Sequence, residues 1–224
     1  MCFSATVSFG AGALITGLGV AAIKKSTDKK QLFFAMIPLM FGIQQFFEGW
    51  LWVALQNPGY EGIGHFSKYG FLVFAELIWP IWIPVSIWLI EKDRRRKQLI
   101  AGFFILGLIV AGLLAYKLII YQVTAHIEQY HIYYQVGPFT SLHWWSGLLY
   151  LLPAVIPFLL SGNRHINYLG ALILLFFVVS KLFYLNYLIS VWCFFAAVLS
   201  MYIYFILKTQ ERRNAVYAAG GMER

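Results

Sequence analysis

Charge is the scarcest property of this sequence. Asp, Glu, Lys and Arg make up 12% of its 224 residues, about half the share carried by an ordinary soluble domain. That shortage excludes a conventional soluble globule and leaves no room for a separate soluble module. Cysteine is limited to Cys2 and Cys193, too few to read as a disulfide framework. Histidine pairs of the H-x-x-x-H or H-E-x-x-H kind are absent, which removes the sequence signature of a helical zinc site. No aspartate falls inside an apolar stretch, and there is no internal repeat or low-complexity segment. Inverted-repeat transporters often carry a trace of such a repeat.

What the chain has in abundance is apolar surface, with 61% hydrophobic residues. Apolar stretches can be drawn at about 5–23, 31–56, 69–90, 98–121, 141–161, 167–186 and 188–207, set against the roughly 20 residues needed to cross about 30 Å of hydrocarbon. The expectation is an all-α integral membrane bundle of seven transmembrane helices over residues 1–207, with a short basic tail over 208–224. The first stretch starts near Ala5 with no basic segment before it and no cleavage site after it, so it reads as retained and not as a removed signal peptide. Leu185-Asn186-Tyr187 is the turn available between the last two stretches.

A net charge of +8 does not by itself mean a nucleic-acid partner. The segments Lys24 to Lys30, Glu91 to Lys97 and Gly162 to His165, with the tail from Lys208, hold 14 of the 17 basic residues. The intervening loops hold only Lys68. This asymmetry places the first set in the cytoplasm, the C-terminus inside and the N-terminus outside, and an odd number of spans agrees. The expected setting is lipid, in the inner (plasma) membrane of a prokaryote.

Against that background the stretch Gln44-Gln45-Phe46-Phe47-Glu48-Gly49-Trp50 stands out. A carboxylate at the centre of a span costs roughly 2.5 to 3.5 kcal/mol on insertion scales, so it should face the protein interior with partners. Gln44 and Glu48 are four apart and Gln45 and Glu48 three apart, so all can look into one interior. A second carboxylate, Glu76, precedes Trp79-Pro80, and in an α-helix Pro80 would leave the carbonyl of Glu76 without its donor. Ser8 and Gly12 form a small-x-x-x-small pair suited to close helix packing. Lys117 reads as snorkelling to the interface, and the Tyr-rich loop from Gln122 to Thr140, with His126 and His131, reads as a flap over the bundle.

Depth sorts the polar groups. Counted from each span's midpoint, Glu48, Glu76, Lys181 and Cys193 lie about 5 to 8 Å toward the outside, and Lys117 and His143 about 11 to 12 Å. Cys2 lies at the outer mouth, and the inner half offers only hydroxyls such as Thr16, Ser86 and Ser200. Alternating access needs polar groups reachable from both faces. An outward-facing polar pocket, taking a small molecule or ion from the extracytoplasmic side, fits better. Its chemistry has several forms. As an enzyme site, Glu48 or Glu76 would be the base, with Cys2 a thiol at a helix start. As a metal site, Glu48, Glu76 and His143 would hold a divalent ion. As a binding site, Gln44, Gln45, Lys181 and Cys193 would line it. The same Glu, Lys and His cluster would equally serve a non-catalytic sensor, an ion or proton channel, a complex subunit, or an internal ion-pair network with Lys181 neutralising a glutamate. A retinal-type sensor is disfavoured because Lys181 is not on the last helix and no span carries an aspartate. Seven-helix hydrolases of the ceramidase type use several span histidines, which this chain lacks.

Met1-Cys2-Phe3-Ser4-Ala5, Pro38-Leu39 with Gln44-Gln45 and Glu48-Gly49, Trp79-Pro80, and Ser190-Val191-Trp192-Cys193-Phe194 with Ala196-Ala197 are sharp local motifs. On these the chain resembles an uncharacterised prokaryotic seven-transmembrane family that begins MCFSA. The resemblance runs from the first residue to the last span and implies the same span count. It brings no activity with it.

Overall fold

The computed structural model describes residues 4–26, 28–137, 144–184 and 187–220, with side chains left out at 144–146 and 213–220. The chain is a helical bundle with one small hairpin. Its helices are α1 (Ala5–Lys25), α2 (Lys29–Ala35), α3 (Ile37–Gln56), α4 (Glu61–Leu72), a π-helical turn (Val73–Ile78), α5 (Trp79–Ile90) and α6 (Arg94–Ile120). A hairpin of β1 (Val123–Glu128) and β2 (His131–Val136) follows, then α7 (Trp144–Leu160), α8 (Arg164–Phe183), α9 (Leu188–Ser200) and α10 (Tyr202–Gly220). Combined across their breaks, six of these stretches are long and apolar enough to cross a membrane: Ala5–Lys25, Lys29–Gln56, Glu61–Ile90, Arg94–Ile120, Arg164–Phe183 and Leu188–Arg212. The remaining apolar helix, α7, has 17 residues.

Side-chain caps start four of the helices. Ser4 accepts from the N–H of Val7 at the head of α1, Asp28 from Lys30 at α2, Asp93 from Arg96 at α6 and Asn163 from His165 at α8. These are N-caps, satisfying donors that the helix cannot. Lys24 and Lys25 close α1, where cations suit the helix dipole. The break between α2 and α3 follows from Pro38, which has no N–H for the carbonyl of Phe34. Met36 N–H turns to that oxygen as well as to Leu32.

The basic segments meet at one end of the bundle. Lys25 Nζ pairs with Glu211 at 3.0 Å, Gly162 N donates to Glu91 at 2.6 Å, and His165 Nδ1 lies 2.9 Å from the Tyr202 hydroxyl. Helix α10 runs through Lys208, where the sequence suggested that a tail begins. The hairpin caps the opposite end, where Lys68 Nζ donates to the carbonyl of Val123. Its register pairs Val123 with Val136 and Glu128 with His131, and Gln129 turns the corner at φ 55°.

Two apolar clusters fill the interior. The larger, toward the basic end, includes Phe34, Ile37, Phe41, Ile87, Ile100, Phe158 and Ile203. The smaller lies under the hairpin and joins Leu51, Trp52, Phe71, Leu118, Ile132, Tyr134 and Cys193. Small residues set how closely the helices approach. A Cβ on Gly42 would lie 2.1 Å from Thr16 Oγ1, and one on Gly19 would lie 2.4 Å from the backbone of Leu39, so α1 and α3 meet almost backbone to backbone. Gly10 and Gly17 face open space on the other side of α1.

The contact of α6 with Pro80 is tighter still, since a Cβ on Gly107 would lie 1.9 Å from the Pro80 carbonyl oxygen. Gly107→Ala should therefore destabilise by about 1–3 kcal/mol, the usual cost of overpacking. Gly17→Ala, with nothing within 4 Å of the added carbon, should leave stability unchanged or raise it. Thermal unfolding of the two variants in one detergent checks the contrast.

Candidate functional site

Between the two apolar clusters lies a buried polar layer. Helix α3 supplies most of it: Gln44, Gln45 and Glu48 share an arc of about 100°, and each is 0% exposed. Trp79 Nε1 donates to Gln44 Oε1 at 2.7 Å, while the ring stacks on Phe41 with centroids 3.8 Å apart. An indole N–H can only donate, so this bond fixes which end of the Gln44 amide is oxygen. Its NH2 end is buried without a hydrogen-bond partner among the described residues. Glu48 Oε1 accepts from Ser190 Oγ at 2.5 Å, the short distance of a hydroxyl bound to a carboxylate. The Gln45 amide is different: neither its nitrogen nor its oxygen has a partner among the described residues, and the same holds for the hydroxyl of Ser8.

Glu76 enters from the π-helical turn and is 8% exposed. Lys117 of α6 acts on it electrostatically. The π turn changes which carbonyl Pro80 leaves free. Trp79 N–H bonds to Phe74, five residues back. In this register the next donor, residue 80, would serve Ala75, but proline has no N–H. The α-helical expectation that Glu76 loses its donor to Pro80 is thus corrected by one residue. The Ala75 carbonyl is taken instead by the hydroxyl of Tyr150 on α7. Tyr150 and Cys193 in turn lie in the electrostatic field of Glu76, and Cys193 also in that of Glu48. Single π turns inside α-helices are frequent at functional sites.

The structure therefore brings Gln44, Glu48, Glu76 and Cys193 into one layer, with Gln45 beside them on the α1 side. Lys181 is not part of it. Ser180 is the buried residue on that turn of α8, and Lys181 lies beside Leu182 and Phe183, which are 73% and 75% exposed. Among the described residues no ion pair within 4 Å joins Lys181 to either glutamate; the pairs found are Lys25–Glu211 and His126–Glu128. Cys2 and His143 lie outside the described residues. Among the described residues no group of three or more His, Cys, Asp and Glu could hold a metal. Sequence reasoning missed Tyr150, and it noted Ser8, Trp79 and Ser190 in motifs without giving them a part in the site, because all four are neutral and leave no charge signal. It set Lys117 aside because its depth alone suited the interface.

The layer is sealed on the hairpin side. Phe71 stacks on Tyr134 with centroids 5.2 Å apart, and Ile132 and Trp52 are buried beneath. The hairpin is held by polar contacts at its tip. Tyr187 OH donates to Glu128 Oε2 at 2.9 Å, His126 Nε2 lies 2.8 Å from Glu128 Oε1, and His131 stacks on Tyr187 at 4.6 Å. The hydrogen bond from His126, then that from Tyr187, holds the Glu128 carboxyl below its ordinary value of 4.5. Burial lowers His131 from its ordinary 6.5.

A helical bundle with six membrane-length apolar helices and a polar layer sealed between apolar clusters defines an integral membrane protein. Over residues 1–219 the chain matches the model of a family described as Family of unknown function (DUF6629), and it belongs to that family. No curated protein and no solved structure gives a significant match.

Both shifts at the hairpin tip act in one direction. A group whose native pKa is depressed binds fewer protons folded than unfolded, so its stabilisation falls with falling pH. For His131 that loss begins below about 6.5, and for Glu128 below about 4.5. After division by the intrinsic exchange rate at each pH, the protection of the strand amides over 123–136 should therefore fall from pH 7.5 to pH 5 while that of the α3 amides holds. Equal change in both segments would contradict it.

Proposed function

We propose that this protein takes a small polar molecule or ion from the extracytoplasmic side into the layer formed by Gln44, Gln45, Glu48, Glu76 and Cys193. The observation that carries this reading is Gln45. Its amide is fully buried, and its donor and acceptor both lack partners among the described residues. Buried polar groups in native proteins are almost always satisfied, and an exception points to an occupant such as water, an ion or a ligand. In a bilayer the penalty is harder to escape, because no bulk water is within reach.

The reading includes a topology of seven crossings. Helix α7, at 17 residues, is about 26 Å long, short of a full span but packed against α5, α6 and α8. Seven crossings agree with the positions of the chain ends. Ser4 starts α1 at the hairpin end, and Arg212 follows Glu211 at the basic end. With the basic end cytoplasmic, the hairpin faces outward in a prokaryotic plasma membrane. Reporter fusions check this: an alkaline phosphatase fused before Ala5 should be active, and one fused after Arg212 inactive. The same activity for both fusions would exclude an odd number of crossings.

The route is tested at Cys193. In right-side-out vesicles carrying a Cys2→Ser variant, a membrane-impermeant maleimide should label Cys193 slowly. In inside-out vesicles it should not. Labelling from the cytoplasmic face alone, or no labelling of native protein from either face while the unfolded chain labels fully, would overturn the reading.

A further inference from the structure

The segments leading into α6 and α8 meet at the basic end of the bundle. Together they carry Lys92, Arg94, Arg95, Arg96, Lys97 and Arg164 against only two acids, Glu91 and Asp93. Both acids are already engaged by backbone donors. The buried Glu91 carboxylate accepts from the N–H groups of Lys92, Asp93 and Gly162, which ties the two segments together, and Asp93 caps Arg96 N. A Cβ on Gly162 would stand 3.2 Å from Arg96 Nη1, so the Arg96 guanidinium lies over the segment that leads to Arg164. Among the described residues none of these cations has an ion pair within 4 Å; the pairs found are Lys25–Glu211 and His126–Glu128.

Helix chemistry does not account for the cluster. Arg94 to Lys97 form the first turn of α6, where the helix dipole disfavours cations. Loop charge sets orientation, but orientation alone calls for no matching seat in the hydrocarbon, and α6 has one. Lys97 Nζ lies 4.2 Å from the ring centroid of Trp88, a part-exposed tryptophan of the kind that marks the headgroup level. Deeper on α6, Leu99, Ile105 and Ile109 are exposed and follow Arg95 on one face at helical spacing. Gly102 interrupts that apolar wall, with nothing within 4 Å of where its Cβ would stand. The gap lies about 10 Å along the helix from Arg95. Helical side chains tilt toward the N-terminus, so the exposed arginines extend back toward the headgroups while the gap opens on the acyl chains.

We infer that the head of α6, with Arg164 beside it, is a binding site for a phospholipid of net negative charge. Arg95, in line with the gap, and its neighbours Arg94 and Arg96 hold the phosphate, for which the planar guanidinium is suited. One acyl chain runs down α6 through the gap at Gly102. A zwitterionic headgroup brings its own cation and loses most of the attraction. The site lies outside the polar layer and does not depend on what that layer holds. Ligand binding to the native state alone raises stability by mass action, so the site has a readout independent of any activity.

The test is thermal unfolding of purified full-length protein in detergent, titrated with phosphatidylglycerol or with phosphatidylcholine of the same chains. Phosphatidylglycerol should raise the Tm in a saturable way, and phosphatidylcholine should not. The triple variant Arg94→Gln, Arg95→Gln, Arg96→Gln should need about a hundredfold more phosphatidylglycerol for half the shift, roughly fivefold per cation, with its Tm in detergent alone unchanged or higher. A control at the same end, Lys24→Gln with Lys29→Gln and Lys30→Gln, should respond as the native protein does. Gly102→Leu, which fills open space, should weaken the response while leaving the fold intact. If the triple variant fails to fold, Arg95→Gln and Gly102→Leu carry the comparison. Equal shifts by the two lipids overturn the inference, and so does an equal loss in the lysine control, which would mean diffuse surface charge. Glycerol phosphate matching the lipid, or an unchanged response in Gly102→Leu, overturns the lipid as occupant.

Discussion

The structure is arranged around the cost of holding the Glu48 carboxylate inside an apolar bundle. One oxygen of that carboxylate takes a short bond from Ser190, which ties α9 to α3. The amides of Gln44 and Gln45 flank it on the same face, so these groups are gathered into one layer. Close packing of α1 on α3 follows from the same need. Without the glycines at 12, 19 and 42, α1 would stand off and leave the layer open to lipid. Apolar clusters above and below then complete the seal.

The π turn solves a second problem of the same kind. Pro80 deprives one carbonyl of its backbone donor, and in hydrocarbon no water can make good the loss. Shifting the register by one residue moves the deficit from Glu76 to Ala75, within reach of Tyr150. Helix α7 is thereby bonded to the turn that carries Glu76. Gly107 lets α6 rest directly on the Pro80 carbonyl, and the same helix carries Lys117 toward Glu76. One proline thus fixes the relation of three helices to the second carboxylate.

Much of this was legible from the chain alone, for reasons that are physical. Glu48, Glu76 and Cys193 share a depth, and depth follows from residue count at fixed rise. Gln44 and Glu48 share a face because 3.6 residues make a turn. Lys181 had the right depth but the wrong azimuth: Ser180 takes the inward position and turns its neighbour toward Leu182 and Phe183. Hydropathy does not resolve a difference of 100° on one helix. The π turn shifts hydrogen bonds without changing composition, so it leaves no trace in periodicity. In the hairpin, aromatic residues on both faces of β2 hide the alternation of a strand, and a flap was the coarser reading. Tyr150 and Ser190 are neutral, and a search built on charge passes over them.

The route into a sealed layer is constrained by what would have to break. On the basic side an occupant would meet the larger apolar cluster, where Phe34, Ile37, Ile87 and Ile203 are essentially without solvent contact. Opening there would separate several helices and expose a core whose buried hydroxyls, Ser86 and Ser200, are already bonded to carbonyls of their own helices. On the hairpin side the closure is two short strands, fastened by Tyr187 to Glu128 and by Lys68 to the carbonyl of Val123. A two-stranded hairpin has little stability of its own, and segments with few buried contacts open at the lowest free energy. Each fastening group can exchange its partner for water at the membrane surface, which lowers the cost of release. The sealed state and the proposed route from the hairpin end are therefore compatible: the strong closure faces the basic end, and the weak closure lies over Trp52, Cys193 and the hairpin edge of the polar layer.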